Sequence, residues 1–81
     1  MARIVLTRAL RRFAEGQAEF DLDVSTVQAL FRELSHRYPA MKRHLEEGVA
    51  VAIDGQIYRD ALFQEIPKDS EVHVIPQIAG G

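Results

Sequence analysis

Apolar and polar residues alternate in two short segments near the start of the chain. In the first, residues 3–7, Ile4 and Leu6 share one face. The second covers residues 19–24 and alternates acidic residues with the apolar Phe20, Leu22 and Val24. A period of two is typical of a β-strand with one buried face. We therefore predict two strands that form a hairpin, joined by a basic, irregular stretch over residues 8–16.

The pattern changes to a helical period after residue 24. Ser25-Thr26-Val27-Gln28 has the form of a capping box, in which a hydroxyl and a Gln side chain satisfy backbone N–H groups at a helix start. The apolar stripe of an amphipathic helix follows, made of Val27, Leu30, Phe31, Leu34 and Tyr38. Pro39 ends this helix, because proline disfavours helical geometry in the residue before it.

Pro39 also suits the first turn of a short second helix. In that helix Met41 and Leu45 lie one turn apart, and Gly48 is expected to supply its left-handed end. The middle of the chain is therefore predicted to hold two helices.

The rest of the chain is strand-like. Residues 49–53 are all apolar and predict a buried strand, and Asp54-Gly55 predicts a type I′ turn, which needs positive φ at both positions. Residues 56–59 return as a short partner strand. In the remaining stretch we expect Leu62, Phe63 and Ile66 to plug a compact connection, residues 67–70 to turn, and residues 72–75 to form the last strand.

These elements predict one α+β domain over residues 1–76, with a mixed sheet, one main helix packed across one face and a free tail over residues 77–81. If Ile4 and Leu6 face the helix, alternation turns their neighbours the other way. The outward set is uncharged and largely apolar: Val5, Thr7, Ala50, Ala52, His73 and Ile75. No second helix layer is predicted to cover this face, so we expect it to dock a partner.

Length and composition disfavour several classes of function. A chain of 81 residues has little room for an enclosed active site, so a self-contained enzyme is disfavoured. Ten basic and twelve acidic residues give a net charge of -2, which does not favour nucleic-acid binding. The chain contains no cysteine, which excludes disulfides, thiolate metal sites and a catalytic thiol.

The sequence gives little support for a metal site or for paired catalytic carboxylates. His36, His44 and His73 fall on three different predicted elements without ligand-like spacing, so no metal site is predicted. Glu46 and Glu47 beside Asp54 are interpreted as surface carboxylates. Arginines interrupt the first apolar residues, which leaves no signal-peptide core and no membrane span. We therefore expect a cytoplasmic protein.

The sequence ends in Gly80-Gly81, shortly after the last predicted strand. Glycine lacks a Cβ atom, so its backbone can pass through a narrow channel and approach a partner's catalytic groups closely. A free carboxylate on Gly81 can be activated by adenylation and then attacked by a nucleophile. We predict that this carboxylate is the reactive group of the protein.

The order of elements and this ending together resemble the ubiquitin-like β-grasp sulfur carriers, and among them the small subunit of molybdopterin synthase. The residues that carry the resemblance are Leu10-Arg11, Thr26-Val27, Tyr38-Pro39, Val49-Ala50-Val51, Asp54-Gly55, Glu71-Val72, Pro76 and Gly80-Gly81. The chain departs from the common pattern in two places. Many members have Gly-Asp-Glu where this chain has Asp69-Ser70-Glu71, and Pro-Pro where it has Pro76-Gln77.

The resemblance implies a cycle on the carboxylate of Gly81. An adenylating partner uses ATP to form an acyl adenylate, a sulfur donor replaces the adenylate, and the thiocarboxylate delivers sulfur inside a synthase large subunit or an equivalent acceptor enzyme. The chain itself binds no cofactor or metal and is not catalytic alone. The resemblance further implies that Gly80 threads the partner's channel, that Ile78 anchors the tail, and that Arg11 contacts the partner, as Val5 and Ile75 are expected to do by their place on the sheet.

Three functions fit these features. The leading one is a sulfur carrier in molybdopterin biosynthesis, favoured by the length, by Tyr38-Pro39 and by the two-helix middle segment; a sulfur carrier for thiamine or cysteine biosynthesis is its near alternative. A ubiquitin-like modifier conjugated through Gly81 is the second, because an amine can also capture an activated carboxylate. A β-grasp binding module is the third, but it leaves Gly80-Gly81 unexplained. The pathway, the sulfur donor and the acceptor stay open at this point.

Overall fold

The computed structural model describes residues 1–76, which form five strands and three α-helices. The strands are β1 (Ala2–Leu6), β2 (Glu19–Leu22), β3 (Val49–Ile53), β4 (Gln56–Arg59) and β5 (Glu71–Pro76). The helices are α1 (Arg8–Arg11), α2 (Val27–Arg37) and α3 (Lys42–Glu47), with 3-10 turns over Arg12–Ala14 and Pro39–Met41.

The strands form one mixed sheet in the order β2-β1-β5-β3-β4. β1 and β5 are parallel neighbours, and the other pairings are antiparallel. The predicted first hairpin is confirmed, with Ala2 opposite Leu22. The second is confirmed as well: Asp54 and Gly55 adopt φ angles of 49° and 91°, the positive values that the predicted turn requires. The predicted ubiquitin-like β-grasp fold, a mixed sheet with its main helix across one face, is confirmed.

One core cluster joins α2 to the inward side of the sheet. The stripe predicted from the helical period supplies Val27, Leu30 and Leu34, all buried. The strands supply Ile4, Leu6, Leu22, Val51, Val72 and Val74. Phe31 was predicted to belong to the same core, but it is only half-buried and packs at the margin of the cluster, because it lies at the edge of the stripe that turns toward α3 and β4.

The connection between β1 and β2 is helical, so the prediction of an irregular stretch over residues 8–16 is wrong. Leu10 and Ala14 lie four residues apart and are both buried, which anchors this side of a helical segment to the core. The backbone N–H groups of Leu10 and Arg11 donate to the carbonyl of Thr7 at 3.0 and 3.2 Å. The segment ends at Glu15, whose φ of 55° is left-handed.

α2 starts one residue later than the capping box predicts. Thr26, rather than Ser25, is the N-cap, and its Oγ1 accepts a hydrogen bond from the N–H of Ala29 at 3.1 Å. Ala29 has no side chain that could return the bond, as a capping box requires. Two further N–H groups donate outside the helix, that of Val27 to the carbonyl of Gln64 at 3.0 Å and that of Gln28 to the carbonyl of Leu62 at 2.8 Å. The segment after β4 therefore completes the cap.

The end of α2 and the short second helix follow the prediction closely. Tyr38 closes α2, Pro39 opens the 3-10 turn, and Met41 and Leu45 are buried. Gly48 differs from the prediction: its φ of 116° is positive, but its ψ of 121° lies far from the left-handed helical region.

The segment from β4 to β5 was predicted to be plugged by three apolar side chains, and only one of them is buried. Ile66 is 3% exposed, whereas Leu62 is 43% and Phe63 is 83% exposed. The carbonyl groups of this segment turn toward the start of α2, and Leu62 and Phe63 consequently point outward. Across residues 1–76, no helix is both long and apolar enough to cross a membrane.

Candidate functional site

The side of the sheet that faces away from α2 carries a group of apolar and weakly polar residues, here called the open face: Val5, Ala50, Ala52, Ile57, His73 and Ile75. The strand register brings them together. Val5 lies opposite His73, which lies opposite Ala52, and Ala52 in turn lies opposite Ile57. Ile75 lies opposite Ala50 in the next row. Alternation along the strands therefore gathers residues from β1, β3, β4 and β5 on one surface. Thr7 was predicted to belong to this set, but β1 ends at Leu6 and Thr7 is the N-cap residue of α1.

The exposure of these residues agrees with the alternation. Val5, His73 and Ile75 are half-buried, whereas their chain neighbours Val72 and Val74 are completely buried on the other side. Ala50 and Ala52 were predicted to add to the uncovered apolar surface, but they are only 5% and 9% exposed. Their methyl groups are short, and the longer side chains on the neighbouring strands flank them. The accessible part of the open face thus comes from its larger residues.

The prediction of an uncharged outer surface is wrong for the half of the sheet near β2. There Arg3 Nη1 lies 2.9 Å from Glu19 Oε1, and Arg3 Nε lies 3.5 Å from Asp21 Oδ1. His73 Nε2 lies 3.6 Å from Glu71 Oε2. Charged groups therefore border the open face on the β2 side, and exposed Arg59, opposite Ala50, borders it on the β4 side. Its apolar part lies between them, toward the end of the sheet at which β5 finishes.

Arg11 lies at that same end of the sheet. Its Nε donates a hydrogen bond to the carbonyl oxygen of Leu6, the last residue of β1, at 3.1 Å. Leu6 pairs with Val74, and β1 and β5 are parallel, so both strands point their carboxyl ends this way. Arg11 is half-buried. Its hydrogen bond holds the backbone at the end of β1, and this structural role is separate from any contact with a partner. The sequence did not predict this bond, because it joins a side chain to a distant carbonyl.

β5 finishes at Pro76, which lies opposite Val49. The three tail residues predicted to act in the chemistry and in partner binding, Ile78, Gly80 and Gly81, lie outside the described residues. Their roles stay predictions. The described residues show that the tail follows Pro76, the last residue of β5.

Histidines and carboxylates form no metal cluster within residues 1–76. His36 lies on α2 and His73 on β5, while the ring of His44 packs 4.3 Å from that of Phe13. Asp54 has a structural contact: its Oδ1 accepts a hydrogen bond from the N–H of Glu71 at 2.9 Å. This bond ties the β3–β4 turn to the start of β5.

Ile57 belongs to the open face and was missed from the sequence. It is 58% exposed and lies opposite Ala52. The signal was present, because a type I′ turn at Asp54-Gly55 fixes the register of the hairpin. Counting across that turn places Ile57 on the same side as Ala52.

Comparison with known proteins places the chain within a family. The model of the ThiS family matches residues 4–81. No curated protein matches the chain significantly.

Solved structures with the same fold span nearly the whole chain. CysO of Mycobacterium tuberculosis has a TM-score of 0.81 at 16% identity, with 96% of this chain and 100% of that chain covered. Small archaeal modifier protein 1 of Methanosarcina acetivorans has a TM-score of 0.76 at 22% identity, with 99% and 95% covered. A putative molybdopterin converting factor, subunit 1, of Pyrococcus furiosus has a TM-score of 0.70 at 20% identity, with 95% and 97% covered.

Proposed function

Because the chain belongs to the ThiS family, we propose that it is a sulfur carrier protein that works through the carboxylate of Gly81. The observation that carries the proposal is the family match over residues 4–81, which includes Gly80-Gly81. The fold supports it, since β5 lies in the interior of the sheet and runs directly toward the tail.

The proposed cycle has three steps at the carboxyl group of Gly81. In the first, a carboxylate oxygen attacks the α-phosphate of ATP in an adenylating partner, which gives an acyl adenylate and releases pyrophosphate. In the second, a sulfide-equivalent donor attacks the acyl carbon, a C–S bond forms, and AMP leaves. In the third, inside an acceptor enzyme, the thiocarboxylate sulfur bonds to an acceptor carbon and displaces an oxygen leaving group from it. Water then cleaves the bond between this sulfur and the acyl carbon, which leaves the sulfur on the acceptor and restores the carboxylate. The activating partner supplies the ATP site, and the cycle belongs in the cytoplasm, where ATP is available.

The open face is proposed to dock both partners. Its apolar part lies toward the end of the sheet at which β5 finishes, so a partner that binds there receives the tail in its active site. Burial of Val5 and Ile75 supplies binding energy, and Arg11 lies beside the exit of the chain.

For the pathway we propose molybdopterin biosynthesis, with a molybdopterin synthase large subunit as acceptor. The two-helix middle segment, α2 followed by the 3-10 turn and α3, supports this choice together with Tyr38-Pro39. A sulfur carrier for thiamine or cysteine biosynthesis is the alternative within the same chemistry, and a modifier conjugated through Gly81 is the alternative outside it. CysO, the modifier protein and the converting factor are only 16% to 22% identical to this chain, so their similarity supports the fold and does not distinguish the pathways.

Deletion of Gly81 tests the chemistry. We expect the truncated protein to fold normally, because the core lies within residues 1–76, but to support no pyrophosphate exchange with the cognate adenylating enzyme. Lys68→Ala, in the exposed turn at the far end of β5, is the matched control and should support normal exchange. Normal exchange by the truncated protein would show that this carboxylate is not the activated group.

Intact-protein mass spectrometry from the native cell separates the alternatives. A sulfur-for-oxygen exchange at the last residue identifies a sulfur carrier, and a branched conjugate identifies a modifier. A chain that shows neither is a binding module without this chemistry.

A further inference from the structure

The helix side of the molecule, opposite the open face, contains an apolar groove. It has a volume of about 550 Å³ and lies between α2, α3, β3, β4 and the segment that follows β4. Its apolar lining includes Phe31, Leu45, Val51, Tyr58 and Leu62. This volume falls in the range of ~300–1,000 Å³ typical of ligand pockets.

An exposed aromatic side chain stands next to this groove. Phe63 is 83% exposed and follows Leu62, which forms part of the groove wall. The backbone around Phe63 is held firmly, because the flanking carbonyls of Leu62 and Gln64 accept hydrogen bonds from the first N–H groups of α2. Ile66 anchors the same segment in the core. Phe63 is thus presented to solvent by an ordered backbone.

We propose that a second copy of the chain occupies the groove, in a two-fold symmetric dimer in which each Phe63 enters the groove of the other copy. A two-fold interface is formed by the same patch on both molecules, so the patch must be complementary to itself. An exposed ring that follows a residue of the groove wall in the chain can meet this condition. In typical interfaces, a few residues that fill well-packed pockets supply most of the binding energy.

The charges around the groove fit this arrangement. The segment that enters carries two exposed acidic residues, Asp60 and Glu65, and residues 60–66 include no basic one. Asp60 also lines the groove of its own copy. The helical walls that receive it carry exposed Arg32 and Lys42. Glu46 is the acidic group on the same wall. In the dimer, Lys42 of one copy faces Asp60 of the other, so opposite charges meet at both ends of the interface.

The first test measures association of the full chain by sedimentation equilibrium from about 1 μM to about 1 mM. Wild-type protein dimerises, and Phe63→Ser raises the dissociation constant at least tenfold. Ile57→Ser is the matched control, since Ile57 is also apolar and 58% exposed but lies on the open face; it leaves the dissociation constant unchanged. At concentrations where all three proteins are monomeric, the unfolding midpoints of both variants stay near that of the wild type, because both side chains are exposed.

The second test uses the two-fold symmetry. Lys42→Glu and Asp60→Lys each weaken self-association, because each homodimer then joins like charges at both ends. Mixing the two variants restores association, because the mixed dimer joins opposite charges at both ends. High salt reduces all of these differences.

Three results would overturn the proposal: a monomer throughout the concentration range, a dimer that Phe63→Ser leaves intact, or a mixture of the charge variants that associates no better than either alone. None of these results bears on the sulfur-carrier function, because the groove and the open face lie on opposite sides of the sheet.

Discussion

Ile75 is the residue of the open face that lies nearest to the end of β5, one position before Pro76. It is half-buried and lies opposite Ala50. A lysine at this position can extend its ammonium group into solvent, so we expect Ile75→Lys to remain folded. When a partner docks, however, that charge is buried without a counter-charge. Affinity for the adenylating partner should therefore fall at least tenfold.

Titration calorimetry with the purified partner measures this change, and Lys68→Ala serves again as the control. A folded Ile75→Lys variant with wild-type affinity would remove the open face from the proposed interface. A substitution of Arg11 would not test the interface cleanly. Because Arg11 donates a hydrogen bond to the carbonyl of Leu6, the change would alter the backbone at the end of β1 together with any partner contact.

At the scale of elements, α2 holds the fold together through one buried stripe. Leu34 is completely buried within the core cluster. We expect Leu34→Ala to lower the free energy of unfolding by about 2 to 5 kcal/mol, because it removes buried methyl groups and leaves a cavity. A small domain has only about 5 to 15 kcal/mol of stability in total, so much of it is lost.

Urea denaturation measures this loss, and Ser35→Ala is the matched control on the next residue of the helix. Ser35 is half-buried and lines the groove outside the core, so its truncation should change the free energy of unfolding by less than about 0.5 kcal/mol. Equal effects for the two substitutions would mean that the buried stripe has been assigned to the wrong face of α2.

At the scale of the whole molecule, the sheet separates two surfaces with different roles. The open face is proposed to dock the activating and acceptor enzymes, and the groove on the helix side is proposed to bind a second copy. We therefore expect Phe63→Ser to weaken the dimer but to keep normal affinity for the adenylating partner. Ile75→Lys should do the reverse. Sedimentation and calorimetry on the same two variants check this independence, and one variant that impairs both interactions would contradict it.

Much of the fold could be predicted from the sequence because it depends on local patterns. Alternation identified β1 and β2, the helical period identified α2, and Asp54-Gly55 fixed the turn between β3 and β4. Alternation also predicted the outward positions of Val5 and Ile75 and so part of the open face. These features follow from backbone geometry over a few neighbouring residues.

Tertiary structure decided the features that join distant parts of the chain. The parallel pairing of β1 with β5 places Arg11 at the end of the sheet from which the tail continues. The start of α2 was fixed by carbonyls of residues 62 and 64, and those same bonds left Phe63 exposed although it is as apolar as a core residue. The local pattern of apolar and polar residues indicates which side chains favour burial. Which of them are buried depends on the partners that the folded chain brings to them, because burial is a property of the packed molecule.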